Sequence, residues 1–514
     1  MFDWFQLQKN LYKQVQHELK AALKSKPKAL ATYERSYKRD LSRLRESSRN
    51  RLIKGINEAS HVFIGDFHTL RQSQRLVIRL LKDPTIKKPT YLALEVLDPR
   101  LETKLQTFVR RPNSRKLEKD LREQLELEDW GSSWEVYKEL ILLAHQLKIQ
   151  IKGLKSEHFS LQQRDQASAK IIAKLKANCW ILFGEFHCAR PHLPAEVLKH
   201  SPAQKLLVIQ QNTDNLHLKH LESMTPKKDL IFEDTQNRRI PLFCILHTPL
   251  WIKWQSYLDH QIQKQNEIYS IDAQDQIAWS LKTLYSFLKD PRYPRALSID
   301  DILDFNVISV EDEDFIYALS NLSKKKALAV RTQLESSRIA ILLQERKIFL
   351  SEVTLNSCAQ AAGSYLYRSW SNLKAPAESF YQKSLLECMS FFLSKVLNYS
   401  RKAKHWRDWK RAFKNTDQSE NLQSILEARE FSKHFSDRRA WLEKIRNHES
   451  STAVALGRVI ADLAFEAFLA GEFSKERLNR LLSEFPKTEI GCFERLVELK
   501  SVGQEFAPTK RDFW

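Results

Sequence analysis

Residues 62–70 read VFIGDFHTL, and residues 181–189 repeat almost the same line as ILFGEFHCA. Each copy is a short apolar run that ends in Gly, a carboxylate, Phe and His. Such a run is typical of a buried strand whose last residues leave the sheet carrying polar groups. The chain has 10 glycines in 514 residues, yet Gly65 and Gly184 occupy the same place in both copies. The repeat therefore predicts two similar strand ends that form two halves of one site.

The acidic and imidazole side chains of the repeat supply the chemistry of this predicted site. Side chains two residues apart share a face of an extended segment, so we expect Asp66 beside His68 and Glu185 beside His187. Ligands of open α/β sheets bind beyond the carboxyl ends of the strands, where these four residues stand. The alternative is that each His caps a helix or satisfies a buried carbonyl group, as at an ordinary strand end.

Two further stretches offer candidate site residues. Glu95 ends the apolar run YLALE, so we expect it at the same sheet edge as His68, with a partner that offsets its burial. Arg164 and Asp165 open the predicted helix RDQASAKIIAKLK, where the guanidinium can hold a carboxylate, a phosphate or a propionate. An Asp at the start of a helix also suits the helix dipole, so Asp165 has an alternative structural explanation.

These residue types fit three kinds of chemistry. Imidazoles with carboxylates suit a divalent metal ion, metal-free acid/base catalysis, or axial ligation of haem, and the sequence does not separate the three. The candidate catalytic residues are His68, His187, Glu95, Asp66, Glu185 and Arg164. The candidate cofactor-binding residues are His68, His187 and Arg164, and the candidate metal ligands are His68, Glu95 and His187.

The chain pattern predicts an α/β protein with a helical second domain. Between residues 61 and 262, short apolar runs alternate with helical stretches, which indicates βαβ units and a mainly parallel sheet with flanking helices. Residues 1–60 predict a basic helical segment, and residues 263–514 predict an all-α domain. The predicted strands are HVFIG (61–65), YLALEV (91–96), IQIKGL (149–154), CWILFG (179–184), KLLVIQ (205–210) and LFCILH (242–247).

Composition restricts the class of protein. Hydrophobic residues make up 42% of the chain, which is enough for globular cores, and 83 Lys and Arg against 63 Asp and Glu give a net charge of +20. This charge favours nucleic acid or anionic membrane as a partner, although a solvated basic surface explains it equally well. The six cysteines contain no CxxC pair, so neither a zinc site nor a disulfide framework is predicted. Because no signal peptide or long apolar stretch is present, we expect a soluble cytoplasmic protein.

Some familiar motifs are absent, and one basic stretch is ambiguous. The sequence lacks G-x-S-x-G, P-loop and H-E-x-x-H motifs, which removes the commonest serine hydrolases, NTPases and zincins. Residues 401–415, RKAKHWRDWKRAFKN, place Trp406, Trp409 and Phe413 on one helical face. We expect these aromatic residues to pack inward, and the alternative is a surface for nucleic acid or lipid.

Residues from about 60 to 250 resemble the ChaN-like domain of the superfamily that includes Tiki proteins, TraB proteins and erythromycin esterases. The stretch DWGSSWEVY at residues 129–137 is also similar to the connector of that family. The matching motifs, in chain order, are Gly65 with His68, Glu95 in LALEV, Arg164-Asp165, and Gly184 with His187.

The resemblance implies an α/β fold of the haem-uptake type and two roles for its site. The first is binding of haem, iron or a divalent metal at the paired GxxH strand ends, with haem or another small molecule as ligand and self-association as a further option. The second is hydrolysis, which is metal-dependent in Tiki-like members and His-based in erythromycin esterases. A basic, nucleic-acid-associated protein is the third alternative. The sequence shows no lipid-attachment Cys, so we do not expect surface capture of haem.

Overall fold

A computed structural model describes most of the chain, which divides into two compact units. The α/β unit comprises mainly residues 9–223 and 227–269, and the helical unit comprises mainly residues 1–8 and 270–509. The aromatic and basic stretch at 401–415 lies outside the described residues from position 404 onward. The described residues are 2–22, 28–156, 160–223, 230–234, 236, 239–265, 272–290, 300–373, 377–403 and 449–506.

The α/β unit is built on an eight-stranded sheet. Its strands are β1 (Arg45–Glu46), β2 (His61–Asp66), β3 (Tyr91–Leu94), β4 (Gln150–Gly153), β5 (Cys179–Gly184), β6 (Leu206–Gln211), β7 (Ile231–Asp234) and β8 (Leu242–Ile245). They lie in the order β1-β7-β8-β6-β2-β5-β3-β4. All pairings among β2 to β6 and β8 are parallel, whereas β7 pairs antiparallel with β1 and with β8. The prediction of a mainly parallel sheet is confirmed, and β1 and β7 are additional short strands.

Helices cover both faces of this sheet because the strand side chains alternate between two apolar cores. Val62 and Ile64 of β2 belong to one core, and Phe63 belongs to the other. The helices of this unit are α1 (Phe2–Ala22, from residue 9 onward), α2 (Lys28–Asp40), α3 (Arg49–Glu58), α4 (Arg71–Lys82), α5 (Glu102–Arg110), α6 (Arg115–Leu125), α7 (Trp134–Gln146), α8 (Leu161–Ala173), α9 (Leu193–His200), α10 (Asp214–Ser223) and α11 (Leu250–Gln265).

The two copies of the repeat lie side by side at the centre of the sheet. Strands β2 and β5 pair in parallel, with Asp66 opposite Gly184. The chain passes from β2 to β3 beyond one side of this pair, and from β5 to β6 beyond the other side. Connections that diverge in this way leave a crevice at the carboxyl ends of the strands. The crevice falls where both GxxH segments leave the sheet.

The helical unit contains mainly helices and one small sheet. Its helices are α12 (Ala273–Leu288), α13 (Phe315–Ser320), α14 (Lys324–Ser336), α15 (Leu355–Trp370), α16 (Phe380–Leu397), α17 (Glu449–Leu469), α18 (Lys475–Leu482) and α19 (Glu489–Phe506). The sheet consists of β9 (Asn306–Ser309), β10 (Ile339–Leu342) and β11 (Lys347–Leu350). No helix among the residues described here is both long enough and apolar enough to cross a bilayer.

The prediction of a helical second domain is confirmed, but it is not all-helical. The run SKKKALAVRTQLESSRIAILLQERK looks like one helix, yet α14 ends at Ser336 and the chain turns at Arg338 with φ of 69°. The following apolar residues then pair as the β10–β11 hairpin. Four-residue strands between helices are too short to reveal a period of two, which explains why the pattern did not predict them.

We predict that Gly457→Ala destabilises the helical unit. A Cβ at Gly457 in α17 would press on the Ser384 carbonyl oxygen and lie 3.0 Å from the Cys388 amide nitrogen, both in α16. Overpacking of this kind costs about 1–3 kcal/mol, whereas helix propensity alone predicts a gain of about 1 kcal/mol. Urea denaturation followed by circular dichroism checks the sign. A rise in stability would mean that the two helices do not approach closely at Gly457.

Candidate functional site

Gly184 lies at the carboxyl end of β5 among the side chains of His68, Glu95 and His187, and this group of residues is called the cleft below. A Cβ added to this residue would lie 3.3 Å from Glu95 Oε2, 3.4 Å from His68 Nε2 and 3.5 Å from His187 Cδ2. Glycine therefore leaves a space the size of one carbon atom that is bordered by both imidazoles and a carboxylate. The structure thus brings together the two histidines of the repeat around one point.

The first half of the cleft is an Asp–His pair from β2. His68 Nδ1 lies 2.9 Å from Asp66 Oδ2, as the spacing of two residues predicts. Asp66 is buried, and its other oxygen accepts a hydrogen bond of 2.5 Å from Gln74 Nε2 of α4. The Tyr137 hydroxyl lies 3.4 Å from Oδ2, the same oxygen that faces His68. Because Nδ1 is held by the carboxylate, Nε2 of His68 is directed away from it, toward Gly184.

The buried Glu95 forms an ion pair with the partly exposed Arg164 beside His68. Glu95 Oε1 accepts a hydrogen bond of 2.6 Å from Arg164 Nη2, and Oε2 accepts one of 2.6 Å from the Gly184 amide. Oε2 also lies 3.6 Å from His68 Nε2. Arg164 therefore pairs with a carboxylate of the protein itself, and its role in holding a group of a ligand stays a prediction. The guanidinium also lies over the Trp130 ring, 5.4 Å from its centroid.

The second half of the cleft is an Asp–His pair that the repeat did not predict. His187 Nδ1 lies 2.6 Å from Asp165 Oδ1, and Asp165 is 1% exposed. Asp165 is the fifth residue of α8, which begins at Leu161 after its cap at Ser160. The helix thus begins three residues before Arg164, so Asp165 does not lie at the helix end. Its contact with His187 shows that Asp165 faces the site. The dipole explanation for Asp165 is therefore wrong.

The prediction that Glu185 stands beside His187 is wrong. Strand β5 ends at Gly184 and residues 185–188 form a turn, so side chains two apart no longer share a face. Glu185 instead lies 3.1 Å from Lys253 Nζ of α11 and accepts a hydrogen bond of 3.2 Å from the Tyr37 hydroxyl. Burial raises the pKa of Glu185, although Lys253 opposes this rise.

The pKa of His68 is set by two opposing influences. Burial disfavours the charged ring, but the hydrogen bond and charge of Asp66, together with the charge of Glu95, raise its pKa above the ordinary value. The stability that this interaction contributes is fully present below the pKa of an unfolded histidine. It is lost as the pH rises through the raised value in the folded protein.

Aromatic residues and a tight turn line the rim of the cleft. The Trp130 ring meets His68 edge-on, with ring centroids 4.9 Å apart. Gly131 follows at φ of 70°, and a Cβ there would lie 2.6 Å from Thr69 Cγ2, so the connector can approach the cleft only with glycine at this position. Trp134 is buried at the start of α7 and belongs to the core.

Several residues that support the site were missed by the sequence analysis. Asp165 was noted as part of the Arg164-Asp165 motif but not as the partner of His187, and the buried amide of Gln74 lies in a helix that looks amphipathic. The four-residue spacing of Tyr33 and Tyr37 in the basic helix α2 was a usable signal, because it places both side chains on one face of the helix. The missed residues in contact with site side chains are Tyr33, Tyr37, Gln74, Tyr137 and Lys253.

The donor groups of the described residues include carboxylate-bonded imidazoles but do not assemble a site for a metal ion. Over the residues that the structure covers, no three or more His, Cys, Asp or Glu side chains group closely enough to hold a metal ion. The predicted set of His68, Glu95 and His187 is therefore not assembled as a metal site, and Glu95 is already engaged by Arg164 and the Gly184 amide. An imidazole whose Nδ1 is bonded to a carboxylate does fit the requirements of a single axial ligand for iron.

The sheet and its cleft define an α/β domain with a paired-histidine site at the carboxyl edge of a mainly parallel sheet. Residues 52–164 match the family model described as Haem-binding uptake, Tiki superfamily, ChaN. The resemblance to ChaN-like domains is thereby confirmed over this part of the chain, and it supports a haem-binding-uptake-like function. The matched span ends one residue before Asp165, so it excludes the second Asp–His pair. No curated protein and no solved structure matches the chain.

We predict that Arg164→Met destabilises the α/β unit, because Glu95 is 3% exposed and would keep a buried charge without its cation. Breaking such a pair costs about 3 kcal/mol. Adding Glu95→Gln removes the charge and is expected to restore at least about 1 kcal/mol. Chemical denaturation of the single and double variants measures both effects.

Lys82→Met is the matched control for this prediction. Lys82 pairs with Glu139 at 2.8 Å, but both side chains are about half exposed. Loss of such a pair costs at most about 1 kcal/mol. Equal unfolding of the Arg164 single and double variants would show that the buried charge of Glu95 is not the cause of the loss.

Proposed function

We propose that the cleft catalyses hydrolysis of a small-molecule ester, with the two imidazoles as acid and base. One observation carries the proposal: His68 Nε2 and His187 Cδ2 lie 3.4 Å and 3.5 Å from the position that a Cβ at Gly184 would take. Each ring is oriented through Nδ1 by a buried aspartate. A base held by a carboxylate in this manner keeps one tautomer and presents Nε2 to the reacting group.

The surroundings of the two rings suggest different roles. His68 contacts two carboxylates, Asp66 and Glu95, which stabilise its charged form, so it is suited to donate a proton. His187 contacts one, Asp165, and is suited to accept a proton from water. In this scheme water attacks the ester carbonyl as His187 removes its proton, the bond to the leaving oxygen breaks, and His68 protonates that oxygen. The products are a carboxylic acid and an alcohol.

The cost of the buried charges also supports an active role. Two aspartates and Glu95 are removed from water within one site, and apolar residues of similar size would often be no less stable. Charged groups held together in a cleft are frequent at functional sites. The charge of Arg164 is suited to stabilise a carbonyl oxygen that becomes negative, although Glu95 partly neutralises it.

We expect Asp66→Asn and Asp165→Asn each to lower ester hydrolysis by at least about 100-fold, because the rings lose the partner that fixes their tautomer. The measurement is turnover of a panel of chromogenic esters and lactones by the purified full chain. Gly184→Ala is expected to abolish turnover without removing any polar group, since the new methyl occupies the space between the rings.

His145→Ala serves as the control for this panel, because His145 is exposed on α7 and has no role in the proposed reaction. Its activity should equal that of the unchanged protein. Hydrolysis that persists in both Asp→Asn variants would exclude the two imidazoles as the acid and base.

The family match favours haem binding as a second candidate function. In this case His68 would ligate the iron, because its side chain is 22% exposed against 9% for His187. Bound haem would supply a redox-active iron. Trp130 offers an aromatic wall next to His68, and the positive charge of Arg164 suits a propionate.

If the cleft binds haem, titration of the purified protein with hemin shifts the Soret band, and His68→Ala removes the shift. His145→Ala should bind as the unchanged protein does. An equal shift in the His68→Ala variant would assign any bound haem to another surface of the chain. No shift in the unchanged protein would exclude this second function and leave the hydrolytic proposal to its own test.

A further inference from the structure

Helix α2 contributes two buried tyrosines to the cleft, although most of its sequence is charged. The helix reads KALATYERSYKRD, and Tyr33 and Tyr37 are 8% and 6% exposed. Residues four apart lie on one helix face, so both hydroxyls are directed to the same side. Tyr37 donates to Glu185 and Tyr33 donates to Asp165. This part of the basic N-terminal segment therefore adjoins the second half of the site.

Tyr33 contacts the second Asp–His pair at the carboxylate oxygen that the histidine does not use. Its hydroxyl donates a hydrogen bond of 2.8 Å to Asp165 Oδ2, and Oδ1 of the same carboxylate lies 2.6 Å from His187 Nδ1. The carboxylate is thereby held at both oxygens. Burial, together with the charge of Asp165, raises the pKa of Tyr33, so the hydroxyl keeps its proton and acts as the donor.

The ring of Tyr33 is itself fixed in place. It stacks on His192 with ring centroids 3.8 Å apart and planes 7° from parallel. It also meets the ring of His187 edge-on at 5.3 Å. A hydroxyl on a ring with so little freedom defines where Asp165 can lie, and Asp165 in turn defines the orientation of His187.

The first Asp–His pair has the same arrangement built from a different residue. Gln74 Nε2 holds the Asp66 oxygen that is not closest to His68, at 2.5 Å. Both halves of the cleft thus consist of a donor, an aspartate and an imidazole. The donor comes from α4 in the first half and from α2 in the second, which lies outside the span matched by the family model.

From this arrangement we infer that Tyr33 is a positioning residue of the cleft, which holds Asp165 so that His187 keeps its proton on Nδ1 and presents Nε2. The inference rests on the proposed function for its effect on turnover, but its effect on His187 is independent of that function. Through Tyr33, the basic N-terminal segment then completes the site. This contribution is separate from any role of the exposed charges of the segment.

The test compares Tyr33→Phe with Tyr12→Phe in the full chain. The Tyr12 hydroxyl also lies next to an aspartate oxygen, at 3.2 Å from Asp214 Oδ2, so both variants lose one tyrosine–aspartate hydrogen bond. We expect Tyr33→Phe to lower kcat by about tenfold to a hundredfold with KM unchanged. The kcat of Tyr12→Phe should stay within about twofold of that of the unchanged protein. A small displacement lowers kcat steeply only when it moves a group that takes part in the reaction. Equal kcat values in the two variants would overturn the inference.

A second readout keeps the inference testable if no ester is hydrolysed. Nitrogen-15 NMR of the histidine side chains reports which ring nitrogen of His187 carries the proton, with Asp165→Asn as the reference for a lost partner. Tyr33→Phe is expected to shift His187 part of the way toward that reference, while Tyr12→Phe leaves it unchanged. A shift without any esterase activity would reject the proposed hydrolysis and retain the positioning role. An unshifted His187 in Tyr33→Phe would overturn the role whatever the activity.

Discussion

The hydrogen bond between a buried aspartate and Nδ1 of an imidazole is the interaction on which the cleft depends. It occurs once in each half, between Asp66 and His68 and between Asp165 and His187. A carboxylate removed from water needs partners for both oxygens, and each aspartate obtains them from the imidazole and at least one further donor. The same bonds fix which ring nitrogen faces the cleft. Stability of the buried acids and orientation of the reactive atoms therefore have a common cause.

The two copies of the repeat have nearly the same letters but different structures beyond the glycine. Strand β2 continues through Asp66, so the aspartate and His68 share a face, whereas β5 ends at Gly184 and Glu185 turns away. The acid that the second histidine requires is supplied by α8. Glu185 is then available to neutralise Lys253, which is almost completely buried beneath the turn. A sequence repeat thus places the acid and the imidazole side by side only where the backbone also repeats.

The sheet and the convergence of the two histidines were predictable because both follow from local patterns. Apolar runs ending in a polar residue identify parallel strands, and their carboxyl ends meet at one edge. The partners of the histidines were less predictable, because Asp165 and Tyr33 reach the cleft through tertiary packing that no short-range period encodes. The hairpin at 339–350 was missed for a different reason, because its strands are too short to show a period of two. The roles assigned to the site residues remain predictions.

The Asp–His pairs also differ in the length of chain that must be ordered before each can exist. Asp66 and His68 are two residues apart, so their contact is available as soon as β2 and its following turn are in place. The other pair joins α8 to the turn after β5, and Tyr33 is 132 positions from Asp165 along the chain. Closing loops of that size is slow and entropically unfavourable. A chain that lacks α2 would therefore retain both Asp–His pairs, but the second pair would lose the tyrosine that holds its aspartate.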